Sequence, residues 1–281
     1  MERLAGYSAG SVGNGNDPQD SASDVGGHAL AQGMRTQMAT AEAKEKVLWR
    51  LIVVGGHTRS IGKTQLVCDV IQAFPRTEWI AGKITQYGHG VCAQNGENCD
   101  CAPSEHASAL DWETRTDTGT DSARFLAAGA RRAFWLRTKQ GSLAEGLPLL
   151  RRALAEVDEK AAVPQGPGLG ESQTAGTASR AVIVESNSLL QFLKPSLYFA
   201  VLDPSKEDFK ESAQLALDRA QALVLRGKLG GDEPPAPLWM KLPLRLLKEK
   251  ASVLQREGER LPEPLWELVH RILQEPAGVR L

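Results

Sequence analysis

Between residues 47 and 75 the chain passes from an apolar run, through a loop with glycines at both ends, into an amphipathic stretch. This order constrains the fold more than any other feature. Val47 to Val54 is short, β-branched near its end and stopped by Gly55-Gly56, which predicts a buried strand. His57-Thr58-Arg59-Ser60-Ile61-Gly62-Lys63-Thr64 comes next. Leu66, Val67, Val70 and Ile71 then share one face of a helix that ends at Phe74-Pro75. A strand, a glycine loop and a helix in that order point backbone N–H groups and the positive end of the helix dipole at one spot, which suits a phosphate.

In a loop of this kind glycine permits the tight path, lysine reaches the β/γ-phosphates and a Ser or Thr hydroxyl holds Mg²⁺. Gly62-Lys63-Thr64 supplies the second half of that pattern. The first glycine of the usual spacing falls on His57, with Gly56 one residue earlier. The expected ligand is a nucleoside triphosphate with Mg²⁺. Its expected binding residues are Gly56, His57, Thr58, Arg59, Ser60, Ile61, Gly62, Lys63 and Thr64, with Lys63 also taking part in catalysis and Thr64 as a metal ligand.

Further along, strands and helices alternate, which predicts an α/β fold with a doubly wound, mostly parallel sheet. Strands are expected over Glu78 to Thr85, Ala133 to Arg137, Ala181 to Val184, Leu197 to Leu202 and Ala222 to Leu225. Helices are expected over Asp121 to Ala128 with Gly129 at its end, and from Leu143 to Val157 behind a capping box at Ser142 and Glu145. Pro148 is expected to kink the latter. Another helix is expected over Asp208 to Arg219, and two more near Leu244–Leu254 and Pro264–Leu273. The composition divides the chain into a disordered leader over 1–45, an α/β domain over 46–230 with a flexible insertion at 159–179, and a helical C-terminal extension over 231–281.

A carboxylate near the metal completes a phosphate site. Glu185, at the end of the 181–184 strand, is placed by such a topology beside the loop and is the candidate metal carboxylate and catalytic residue. With a net charge of −1 and a pI of about 6.5, the chain carries no basic field for nucleic acid. It has no apolar run long enough to span a bilayer and no secretory start, so cytoplasm is the expected location.

Three later segments carry a resemblance. Strand two ends in Lys83-Ile84-Thr85-Gln86 with His89 nearby, Asp121-Ser122-Ala123-Arg124-Phe125-Leu126-Ala127-Ala128-Gly129-Ala130 follows, and a later strand ends in Glu185. Together with the loop, this series resembles the molybdopterin-guanine dinucleotide biosynthesis protein B (MobB) family of SIMIBI-class P-loop NTPases over roughly residues 47–228. In this chain Thr85 and Phe125 stand where that family has histidines, and Ser186 where it has glycine. The resemblance implies that Lys83 contacts the nucleotide and that Asp121 lies toward the γ-phosphate. Arg124 is then a candidate for neutralising phosphate charge or binding an anionic substrate. It also implies a role in molybdenum cofactor assembly, with a cofactor-assembly protein or a second copy of the chain as candidate partners.

Cys92, Cys99 and Cys101, with His106 beyond them, match the donor set of a structural zinc site; His89 is the reserve ligand and iron the second choice of metal. Cys68 reads as a core residue. SIMIBI GTPases usually read guanine with Asn-Lys-x-Asp. The matching position reads Arg226-Gly227-Lys228-Leu229, without the aspartate, so GTP and ATP both remain open. Three functions remain open as well: triphosphate hydrolysis in support of cofactor assembly, γ-phosphate transfer to a small-molecule substrate, and a regulatory module with little turnover.

Overall fold

The computed structural model describes residues 48–87, 107–162, 179–226, 245, 249–256 and 258–280. Among them, eight strands form one sheet in the order β4-β5-β3-β6-β2-β7-β8-β9. In chain order these are β2 (Leu51–Gly56), β3 (Glu78–Tyr87), β4 (Ser108–Glu113), β5 (Arg132–Lys139), β6 (Arg180–Glu185), β7 (Leu197–Leu202), β8 (Ala222–Leu225) and β9 (Ala251–Leu254). β4 runs antiparallel to β5 at one edge, and every other pairing is parallel. A two-stranded ribbon joins β1 (Leu48–Trp49) to β10 (Val279–Arg280).

The central strands read as unbroken apolar runs because both faces of a parallel sheet are covered by helices. Every residue of β2, β7 and β8 is buried. Alternate side chains serve opposite faces. Ile52 and Val54 pack with Leu66, Val67, Val70 and Ile71 of α1 (Lys63–Ala73), Phe125 of α2 (Asp121–Ala127), and Leu265, Val269 and Leu273 of α5 (Glu263–Gln274). Leu51 and Val53 pack on the other face with Leu143, Leu147, Leu150, Leu154 and Val157 of α3 (Leu143–Ala162). Each such side chain contributes about 1.5–3 kcal/mol by leaving water, so truncating one, Leu150→Ala for example, costs about 2–5 kcal/mol once the cavity is included. α3 continues through Pro148 to Ala162.

The structure departs from the expected elements in several places: the strand expected over Val47 to Val54 is divided into β1 and β2, and β10 was not expected. A helix over Asp208 to Arg219 is replaced by one short turn, α4 (Glu211–Gln214), and a 3-10 turn at Leu217–Arg219. Ala251–Leu254, expected to end a helix, is instead the edge strand β9, so the C-terminal part gives the sheet a strand as well as the expected helix α5. β4 was not expected at all. His89, Cys92, Cys99, Cys101, His106, the leader and Lys228 lie outside the described residues. No helix of the described residues is long and apolar enough to cross a membrane.

Candidate phosphate and metal site

Sheet register brings the candidate residues together. β2 pairs with β6 so that Val54 lies opposite Glu185, and β3 pairs with β6 so that Lys83 lies opposite Glu185. The carboxyl ends of β2, β3 and β6 therefore reach one level, and the loop leaving β2 rises beside them. This is where open α/β sheets bind ligands. An open cleft there is lined by Thr58 to Gln65, Lys83, Asp121, Arg124, Glu185 and Lys210, among others.

The loop is fixed from below. Asn187 clamps Gly56 from both sides: its Oδ1 accepts from Gly56 N–H at 2.8 Å, and its Nδ2 donates to Gly56 O at 2.8 Å. A Cβ on Gly56 would sit 2.8 Å from Val201 O and 2.8 Å from Ile61 Cδ1, so this position has no room for a side chain. His57 replaces the expected glycine without strain, because positive φ falls later in the loop, at Ser60 (49°) and Gly62 (84°). The His57 ring is fully buried, with Nε2 3.3 Å from Lys206 O. Burial lowers its pKa against the raising effect of the backbone hydrogen bonds, which favours the neutral ring. Gly56 and His57 thus lie beneath the loop, and Ile61 is buried in the α1 face of the core.

Gly62 is the N-cap of α1 in the left-handed conformation, with ψ 19°, where a side chain would be strained. Leu66 N–H donates to Gly62 O at 3.0 Å, which leaves the earlier N–H groups of the helix start for another acceptor. Lys63 and Thr64 follow on the first turn. Lys63 Nζ donates to Thr58 O at 2.5 Å, curling back over the loop. Burial pulls its ammonium down to about 8; Glu185 opposes this, and Lys210 and Lys83 add to it. A lysine held so among other cations gains from an anion beside it.

Thr64 Oγ1 donates to Glu185 Oε2 at 2.7 Å. Lys83 Nζ hydrogen-bonds Asp121 Oδ2 and lies 3.7 Å from Glu185 Oε1, joining both carboxylates. Burial alone would lower the Lys83 pKa, but Glu185 and Asp121 outweigh it and hold it raised. Asp121 is the converse: burial raises its pKa, and Lys83, Thr64 and Arg124 more than reverse this. The donor set of Thr64 hydroxyl and the Glu185 and Asp121 carboxylates is all oxygen and fits a hard cation that takes one or two carboxylates and completes its shell with phosphate and water. Among the described residues no cluster of three His, Cys, Asp or Glu could bind a metal by itself.

Arg124 is exposed on α2, donates to Gln65 Oε1 at 2.9 Å and stands 4.0 Å from Asp121. Sequence reading gave no role to Asn187 after β6 or to Lys206, Asp208 and Lys210 after β7, and it noted Arg226 after β8 only as part of the base-reading position. Arg226 Nη2 donates to Gly62 O at 3.1 Å. The signal available for these was position, since each follows a strand end on the loop side of the sheet.

No protein-family model matches the chain, and no curated protein matches it. Among solved structures it is similar to the LAO/AO transport system kinase, with 14% identity and a TM-score of 0.39 over 88% of this chain and 66% of that one. The chain therefore spans just under two thirds of that protein's length.

Proposed function

We propose that the chain binds the phosphates of a nucleoside triphosphate with Mg²⁺ and cleaves or transfers the terminal phosphate. The observation that carries this reading is the joint placement of Lys63 and Thr64 on the first turn of α1, behind left-handed Gly62, with Thr64 bonded to Glu185. Lys63 holds the β/γ-phosphates, Thr64 and Glu185 hold the metal and its water, and Lys83 orders the two carboxylates. Mg²⁺, when bound, neutralises charge on the transferring phosphoryl group.

Lys83, Asp121, Arg124 and Glu185, which carry the MobB resemblance, all line the same cleft, and this supports an NTPase that assists molybdenum cofactor assembly. A second reading, a small-molecule kinase, is favoured by the reach of the cleft past the loop to Thr85, Gln86, Thr118, Thr120 and Gln140, where a polar acceptor molecule finds room. Arg124 then holds an anionic group of that acceptor.

Incubating the protein with Mg²⁺ and ATP or GTP, followed by product analysis, tests the proposal. Free phosphate alone supports hydrolysis. A phosphorylated metabolite formed from a small-molecule pool supports the kinase. Neither product, together with no binding of either triphosphate, overturns the proposal.

A further inference from the structure

The segment that leaves β7 is laced to the phosphate loop. Lys210 N–H donates to His57 O at 2.9 Å, Thr58 Oγ1 donates to Asp208 Oδ2 at 2.5 Å, and His57 Nε2 meets Lys206 O at 3.3 Å. Lys206 Nζ donates to Ser60 O at 2.9 Å, and the Phe209 ring meets the His57 ring edge-on, centroids 5.6 Å apart. Lys206, Asp208, Phe209 and Lys210 therefore all hold the loop, and α4 begins directly after them.

Lys210 lines the cleft together with Lys63, Lys83 and Glu185. The other two lysines are committed: Lys63 to Thr58 O, Lys83 to Asp121 and Glu185. Among the described residues Lys210 has no ion pair and no side-chain hydrogen bond. Its charge acts on Lys63, and it feels Arg59, Asp208, Lys83 and Glu185 in turn, which sets it among the charged groups of the phosphate site. Burial, assisted by Arg59 and Lys83, lowers its pKa; a terminal phosphate beside it would relieve that cost.

We propose that Lys210 is a catalytic residue supplied in cis, its ammonium meeting the terminal phosphoryl group of the bound triphosphate as that group leaves. The inference rests on the triphosphate reading above. In hydrolysis the bond from the γ-phosphorus to the bridging oxygen breaks, and that oxygen keeps the electron pair. A bond forms from the water oxygen to phosphorus, and the proton lost by the water passes through the new phosphate to solvent. Negative charge grows on the bridging oxygen, where a fixed cation is most effective.

The test compares the parent with Lys210→Met and Lys210→Arg. It measures turnover at saturating Mg·ATP and Mg·GTP, affinity for the corresponding diphosphates, and trapping of Mg-diphosphate by aluminium fluoride. Lys210→Met is expected to lose about 100-fold or more in turnover and to lose the aluminium fluoride complex. Its diphosphate affinity is expected to stay within about 3-fold of the parent, and Lys210→Arg to recover part of the rate. Parental turnover in Lys210→Met overturns the inference, as does an equal loss of diphosphate affinity and rate in both variants. A parent that binds triphosphate but neither turns over nor traps the fluoride complex overturns it too, leaving the binding reading in place. A parent that binds no triphosphate removes that reading itself, and this inference with it.

Discussion

Thr64 Oγ1 donates a 2.7 Å hydrogen bond to Glu185 Oε2, joining the first turn of α1 to the end of β6. The two residues are 121 positions apart in the chain and meet because β2 and β6 are parallel neighbours in register. The hydroxyl and the carboxylate are the two oxygens that an Mg²⁺ ion and its water shell would draw on.

Glu185→Gln keeps the shape of the side chain and removes its charge. Turnover is expected to fall about 10- to 100-fold, the usual effect of losing a carboxylate that orders a metal's surroundings. Triphosphate affinity should change less. Steady-state rates set beside equilibrium titrations check this; parental turnover would remove Glu185 from the metal site.

Lys63 gives the site a pH dependence. Burial first, against the pull of Glu185, brings its pKa down to about 8 in the free protein. A bound phosphate favours the charged form, so the pKa is higher in the complex. Affinity is therefore complete below pH 8 and lost as pH rises through 8, at up to about tenfold per unit for one linked proton. The nucleotide's own phosphates are ionised by about pH 7 and do not contribute above it. Titration calorimetry near pH 8.5 in buffers of different ionisation enthalpy should show proton uptake on binding. Equal affinity at pH 7.5 and 9.5 would contradict the assignment.

Lys83 separates two carboxylates, Asp121 with a side chain 21% exposed and Glu185 with one 7% exposed. Lys83→Met leaves them without the cation they share, with only half-exposed Arg124 beside Asp121. Losing one partner of a fully buried pair costs about 3–5 kcal/mol, and partial exposure here brings the expected loss to about 1–3 kcal/mol. The sign with pH follows from Asp121, whose pKa is depressed in the folded protein despite burial. Its stabilising contribution is present above its unfolded value and lost as pH falls through the folded one. The difference between parent and variant should thus be largest near neutrality and shrink in acid. Urea unfolding at pH 7 and at about pH 2.5, below the unfolded carboxylate value, measures both; an equal difference at the two would speak against the charge argument.

Asn187→Ala removes both hydrogen bonds to Gly56 and leaves buried backbone groups without their partner. The expected cost is about 1–3 kcal/mol in stability, with weaker triphosphate binding because the loop loses its lower anchor. Unchanged binding would show that the loop holds its shape without the clamp.

The parts of this fold that were legible in the sequence are those where one local rule is enough. Leu197–Leu202 and Ala222–Leu225 could be bounded because strands covered on both faces are unbroken apolar runs. Gly62, Lys63 and Thr64 were legible because their spacing is itself the geometry. β4 was missed although Leu110 and Trp112 turn to the core while Asp111 pairs with Arg137 on the other side. That alternation is only a few residues long and follows a polar, cysteine-rich stretch. β9 was missed because a short apolar run such as Val253-Leu254 fits a helical period equally well. The helix expected over Asp208 to Arg219 has the right composition, but Asp208 and Lys210 are held by Thr58 and His57, and these longer-range bonds override local propensity. Asn187 and Lys210 could not be assigned from spacing at all, because only the strand order brings their strand ends to the loop.

Lys63 is the residue proposed to hold the phosphates of a bound nucleotide. Titration calorimetry of Mg·ATP and Mg·GTP against the parent and Lys63→Ala tests it most directly. Saturable binding of at least one triphosphate by the parent is expected. Affinity in Lys63→Ala is expected to be lower by roughly ten- to over a hundred-fold, the value of one charge-assisted phosphate contact, with unfolding by urea unchanged in cooperativity. Equal affinity in the two proteins would contradict it.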